Sequence, residues 1–101
     1  MSLNTTVKDN ALEVKLSGRL GFEDHVEFKQ VLDDFVSSQC HEIRFLLDDL
    51  AEVDSSGLGM FLLAKEAADD KGVSISLVHP KGQVKALFEL SDFEDIFRIV
   101  A

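Results

Sequence analysis

The sequence has no tryptophan, no tyrosine, one proline and one cysteine. With Pro80 the only proline, backbone amides are available for helix or ladder almost everywhere. Cys40 has no partner for an intramolecular disulfide, and a lone thiol fits a reducing compartment, so a cytoplasmic protein is expected. No apolar run is long enough to span a bilayer, and MSLNTTVKDN lacks the basic-then-apolar form of a signal peptide; direct membrane insertion is not expected. Basic residues are scarce, 10 against 19 acidic, for a formal charge of −9. That balance opposes phosphate backbones and argues against a nucleic-acid partner. His25, His41 and His79 fall in separate segments without metal-ligand spacing, so neither a metal nor another cofactor is expected. The nucleophile elbow Gly-x-Ser-x-Gly and the phosphate loop Gly-x-x-x-x-Gly-Lys are both missing, which argues against a serine hydrolase and a P-loop nucleotide site.

What is present suits one folded unit. Hydrophobic residues make up 46% of 101 residues, enough for one core. No repeat, linker or low-complexity tract divides the chain, so residues 1–101 read as a single domain. The apolar residues mostly fit core positions, and the free protein is expected to be a monomer.

Periodicity assigns the elements. ALEVKLSGRL, from Ala11 to Leu20, alternates Leu12, Val14 and Leu16 against Glu13, Lys15 and Ser17, a half-buried strand. Thr5 to Lys8 reads as a short preceding strand, joined through the tight turn Asp9-Asn10. From Glu23 to Ser37, Phe28, Val31, Leu32, Phe35 and Val36 recur at helical spacing. IRFLL, Ile43 to Leu47, reads as a central strand covered on both faces and ended by Asp48 and Asp49. A helix follows, with Met60, Leu63, Ala64, Ala67 and Ala68 on one face. Phe61 and Leu62 widen that face, so its first half is expected to be buried nearly all round; Gly72 stops it. Val73 to Val78 alternates as a strand, Val84, Leu87 and Phe88 mark a third helix, and Phe97 to Val100 closes as a strand. Phe93 and Phe97 suit the core or a contact surface.

Alternating strands and helices predict a sheet that is at least partly parallel. Sites in such sheets gather where strand ends meet helix starts, here the loop from Asp48 to Gly59. Asp and Ser are the residues that cap a helix start, so Ser55 or Ser56 reads first as an N-cap. An exposed serine there would also place a phosphate beside Asp54 and near Asp48, Asp49 and Glu52.

VDSSGLGMFLLAKEA resembles the signature of STAS domains, the family of bacterial anti-sigma-factor antagonists. GRLGFEDHVEF is similar to the family's second-strand-to-first-helix turn, IRFLL to its central strand, GVSISLV to the strand after the signature helix, and VKALFELSDFEDIFRIV to its ending. The resemblance runs from about Thr5 to Val100. It implies an α/β fold, a mixed β-sheet of about five strands with helices packed mainly on one face, and a protein-binding module rather than an enzyme. The implied partner is an anti-sigma factor that is also a serine kinase. The kinase would phosphorylate the serine after the motif aspartate, Ser55; phosphorylation would release the complex, and a separate phosphatase would restore it, so that transcription is regulated. Asp54, Ser56, Gly57, Leu58 and Gly59 would form the loop that the partner recognises, with Asp48, Asp49, Glu23, Asp24 and His25 around it. The pattern at Gly21, Phe22, His25 and Phe28 looks most like Gram-negative members tied to biofilm or secretion control. STAS-like domains also serve as constitutive subunits of lipid or anion transport assemblies, the alternative reading. Two positions depart from the family's pattern: Leu46 and Gly21 stand where aspartates are usual, and both would be expected near the serine.

Overall fold

The computed structural model describes residues 1–101. Strands β1 (Ser2–Lys8) and β2 (Ala11–Leu20) form an antiparallel hairpin. Its turn is the Asp9-Asn10 pair, both left-handed at φ 51° and 65°. Asp and Asn tolerate that region better than other residues with side chains, and two such residues match the twist of a hairpin. A 3₁₀ turn, Phe22–Asp24, leads into α1 (His25–Ser37). Then come β3 (Glu42–Val53), α2 (Ser55–Lys71), β4 (Ser74–Val78), α3 (Gly82–Leu90), a second 3₁₀ turn at Phe93–Asp95, and β5 (Arg98–Val100).

The strands lie in the order β1-β2-β3-β4-β5, antiparallel at the first pair and parallel thereafter. Each helix joins neighbouring parallel strands in the same direction. Right-handed crossovers of that kind place α1, α2 and α3 on one face. The result is the five-stranded mixed α/β sheet that the resemblance implied.

The other face carries no helix, which corrects the reading of IRFLL. Ile43, Phe45 and Leu47 are buried under the helices, whereas Arg44 and Leu46 are half-buried on the bare side. Neighbouring strands shield them in part. Arg44 bridges Glu42 at 3.0 Å and Glu13 at 3.3 Å, and Leu46 stands in register with Val78.

Between sheet and helices runs a row of phenylalanines. Phe28 of α1 stacks on Phe45 of β3, with ring centroids 5.4 Å apart; Phe45 meets Phe61 of α2 edge-on at 5.4 Å, and Phe61 meets Phe88 of α3 edge-on at 5.6 Å. Phe93 and Phe97 extend the row, and both are buried, so their place is the core. Each such pair contributes about 0.5–1.5 kcal/mol beyond its burial.

On α1, Phe28, Val31, Leu32 and Phe35 face this core, but Val36 is exposed. On α2, Met60, Phe61, Ala64 and Ala68 are buried. Leu62 and Leu63 are 43% and 44% exposed, so the first half of α2 is not enclosed all round: no further layer lies outside the helices. Gly72 ends α2 at φ 73°, its amide donating to the carbonyls of Ala68 and Asp69.

Candidate functional site at the start of α2

Helix α2 enters very close to the sheet. A methyl group at Gly57 would stand 2.4 Å from Val53 Cγ2 and 2.9 Å from the Leu20 carbonyl oxygen. Only a residue without a side chain lets the helix settle on the ends of β2 and β3. Asp54 makes the cap: its backbone is extended, and its Oδ1 accepts the Gly57 amide at 2.9 Å. Its own amide donates to the Leu20 carbonyl at 3.3 Å.

The cap is therefore Asp54, not Ser55 or Ser56. Ser55 is the first helical residue, is exposed, and keeps a hydroxyl that the cap does not use. Amides of the first helical turn point out of the helix with no acceptor inside it.

A second tie comes from α3. Gln83 Oε1 accepts the Val53 amide, and Gln83 Nε2 donates to the Val53 carbonyl, each at 2.9 Å. β4 has already left β3 at the Leu46–Val78 pair, so this side chain takes the place of a strand at the free edge. Nothing in the sequence around Gln83 signals that role.

The surroundings are mostly anionic. A methyl group at Gly21 would lie 3.0 Å from Asp54 Oδ2 and 3.1 Å from Glu23 Oε2, so both carboxylates flank one backbone position. Position 21 does lie against the motif. Asp24 turns inward instead: it is buried, and its Oδ2 accepts the Gly21 amide at 2.9 Å. It shapes the turn and offers little surface. The nearby cation is Arg19, 3.9 Å from Asp54 Oδ2 and 4.0 Å from Glu52 Oε2. Its side chain is 62% exposed, and ion pairs so long and wet contribute little. Arg19 was not singled out in the sequence, since a lone arginine on a strand carries no motif.

Asp48 and Asp49 do not join this group. β3 continues past them, pairing with β2 through Leu50, Glu52 and Val53 before α2 begins. Asp48 Oδ2 lies 3.0 Å from His79 Nδ1, and that hydrogen bond holds the Asp48 carboxyl below its usual value. Asp49 pairs with Lys15 at 3.2 Å. Leu46 lies further back still and faces the helix-free side, so an aspartate there would not stand beside Ser55.

Beyond the cap, Ser55, Gly59, Leu62 and Glu66 recur at helical spacing along the outer face of α2. A methyl group at Gly59 would meet nothing within 4 Å. Phe22 and Val26, at the neighbouring entrance to α1, are 75% and 81% exposed. His25 is exposed and, with Leu63 and Glu66, lines a groove of about 570 Å³ between α1 and α2. The start of α2 thus presents an exposed serine next to the Asp54 cap, with exposed apolar residues further along α2 and at the entrance to α1.

The five-stranded sheet with three helices is a SpoIIAA-like α/β fold. The structure of the anti-sigma factor antagonist SpoIIAA from Bacillus in its unphosphorylated form matches with a TM-score of 0.79 at 15% identity, over 99% of this chain and 88% of that one. The chain belongs to the STAS domain family, whose model described as "Mlab, STAS domain" matches residues 3–101. The anti-sigma-B factor antagonist of Staphylococcus aureus is 24% identical over 98% of this chain and 92% of its own length. A STAS-domain containing protein of Pseudomonas aeruginosa is 30% identical over 87% of this chain and 86% of its own.

Proposed function

We propose that this protein is an anti-sigma-factor antagonist whose binding is switched at Ser55. Unphosphorylated, it sequesters an anti-sigma factor that is also a serine kinase; phosphorylated, it lets go, and a phosphatase resets it in the cytoplasm. Transcription is the output. The observation that carries this reading is the exposed Ser55 hydroxyl at a helix start capped by Asp54, so that the serine is free for another task. The relatives named as anti-sigma factor antagonists support it.

A phosphate at Ser55 brings about −1.5 to −2 charges at pH 7. Beside Asp54, and at an interface that excludes water, repulsion costs on the order of 1–3 kcal/mol, or about tenfold to a hundredfold in affinity. The first-turn amides and Arg19 ease the modified state in the free protein. Leu62 supplies the apolar centre of the contact beside Leu58, which is half-buried against the core, and Glu23 and His25 form its rim.

A second reading, a constitutive subunit of a lipid or anion transport assembly, is favoured by the uncharged Gly21, which lies against Asp54 where an aspartate is usual in the family. Paired pull-downs with Ser55→Ala and Ser55→Asp baits separate the two. A kinase-like partner held by Ser55→Ala and lost with Ser55→Asp is expected. Identical captures by both baits overturn the switch and leave the constitutive reading.

A further inference from the structure

The two edges of the sheet differ in how they are guarded. β5 is three residues long, begins with Arg98, and its end is tied by the His79 amide to the Val100 carbonyl at 2.8 Å. β1 is seven residues long, and its ladder with β2 runs without a bulge from Ser2↔Ser17 to Lys8↔Ala11. Six of those residues are exposed. The strand has no proline and no inward-pointing charge, and its only ionised side chain is Lys8 at one end. Natural proteins guard free edges with such devices, and this edge lacks nearly all of them.

The direction of its free groups follows from the turn. A two-residue hairpin makes the flanking pair, Lys8 and Ala11, hydrogen-bonded to each other. By alternation Thr6, Asn4 and Ser2 also bond to β2. The amides and carbonyls of Leu3, Thr5 and Val7 then point away from the sheet. The side chains of these three residues stand opposite Leu16, Val14 and Leu12, on the helix-bearing face. Val7 is 66% exposed there, whereas Leu3 packs against the core.

We infer that β1 is the docking edge for a second copy of this chain, in an antiparallel β1–β1 pair about a two-fold axis at Thr5. That register pairs all seven residues. Thr5 faces the partner's Thr5, a favourable cross-strand pair, and Val7 faces the partner's Leu3, so the exposed valine extends the partner's core. Lys8 faces the partner's Ser2, and no two ionised side chains stand opposite each other. Charge selects this edge: two copies each carrying −9 repel, and β1 is a stretch of surface free of acids. A seven-residue pair is smaller than a permanent interface, so the dimer is weak and strengthens with salt. The inference is independent of Ser55.

The test is sedimentation of the full chain up to about 1 mM at low and high salt, with amide exchange measured alongside. A reversible dimer is expected, with exchange at Leu3, Thr5 and Val7 slowing as concentration rises. Val7→Lys and Thr5→Pro each weaken it about tenfold or more; the proline removes an outward amide and no bond of the β1–β2 ladder. Circular dichroism confirms that both variants fold. A monomer at every concentration, or a dimer indifferent to both variants, overturns the inference. So does protection confined to the helices.

Discussion

Two glycines in the first two turns of α2 respond in opposite ways to the same substitution. At Gly57 a methyl group collides with Val53 Cγ2 at 2.4 Å and with the Leu20 carbonyl oxygen at 2.9 Å. Val53 is 2% exposed and has no room to retreat. The Leu20 carbonyl also accepts the Asp54 amide, so moving it disturbs the cap. Overpacking costs about 1–3 kcal/mol, and contact with backbone belongs at the upper end. Alanine's helix preference returns about 1 kcal/mol. Gly57→Ala is therefore expected to lose about 2 kcal/mol, a fall of about 8–16 °C in Tm for a domain of this size. Gly59→Ala meets nothing within 4 Å. It collects only the helix preference, about 0.5–1 kcal/mol, and Tm rises by about 2–8 °C. Thermal unfolding followed by far-UV circular dichroism measures both. A Gly57→Ala protein as stable as wild type, or a Gly59→Ala protein less stable, refutes the reasoning.

Other outcomes follow from side chains away from the cap. Gln83→Ala leaves the Val53 amide and carbonyl without partners and is expected to cost about 1–3 kcal/mol by denaturant titration; no loss would mean water replaces the amide at no cost. Asp48 and Glu42 both have lowered pKa values, from hydrogen bonds with His79 and Arg44 respectively. The unfolded chain binds those protons more readily, so their contribution is whole above about pH 4–5 and is lost as pH falls through the folded values. In His79→Ala, the Asp48 carboxyl is expected to titrate back up toward its usual value in an NMR series; an unchanged titration would remove His79 as the cause.

Periodicity made β2, α1 and α3 legible, because their buried residues recur at one spacing over most of their length; β1, exposed at six of its seven residues, shows in the sequence only from Thr5. β3 does not keep one spacing. Its buried residues are Ile43, Phe45 and Leu47, then Leu50 and Val53. The spacing changes from two to three where the ladder with β2 is irregular. A stretch such as Leu47-Asp48-Asp49-Leu50 then reads as a strand end, although the strand continues. Asp54-Ser55-Ser56 was legible as a helix start but not as to which residue caps it, since both residue types serve. The inward turn of Asp24 depends on an amide three residues back, and the tie from Gln83 spans thirty residues. Neither has a local signature.

The seat of Gly57 on the ends of β2 and β3 has a consequence for recognition. Together with Asp54 and Gln83, it pins the first turn of α2 to two strands and a neighbouring helix at once. Under the proposed function, a partner meets a surface already in its final shape and spends little free energy ordering it. On that reading the surface has one shape to offer, and a phosphate at Ser55 acts through charge rather than through movement.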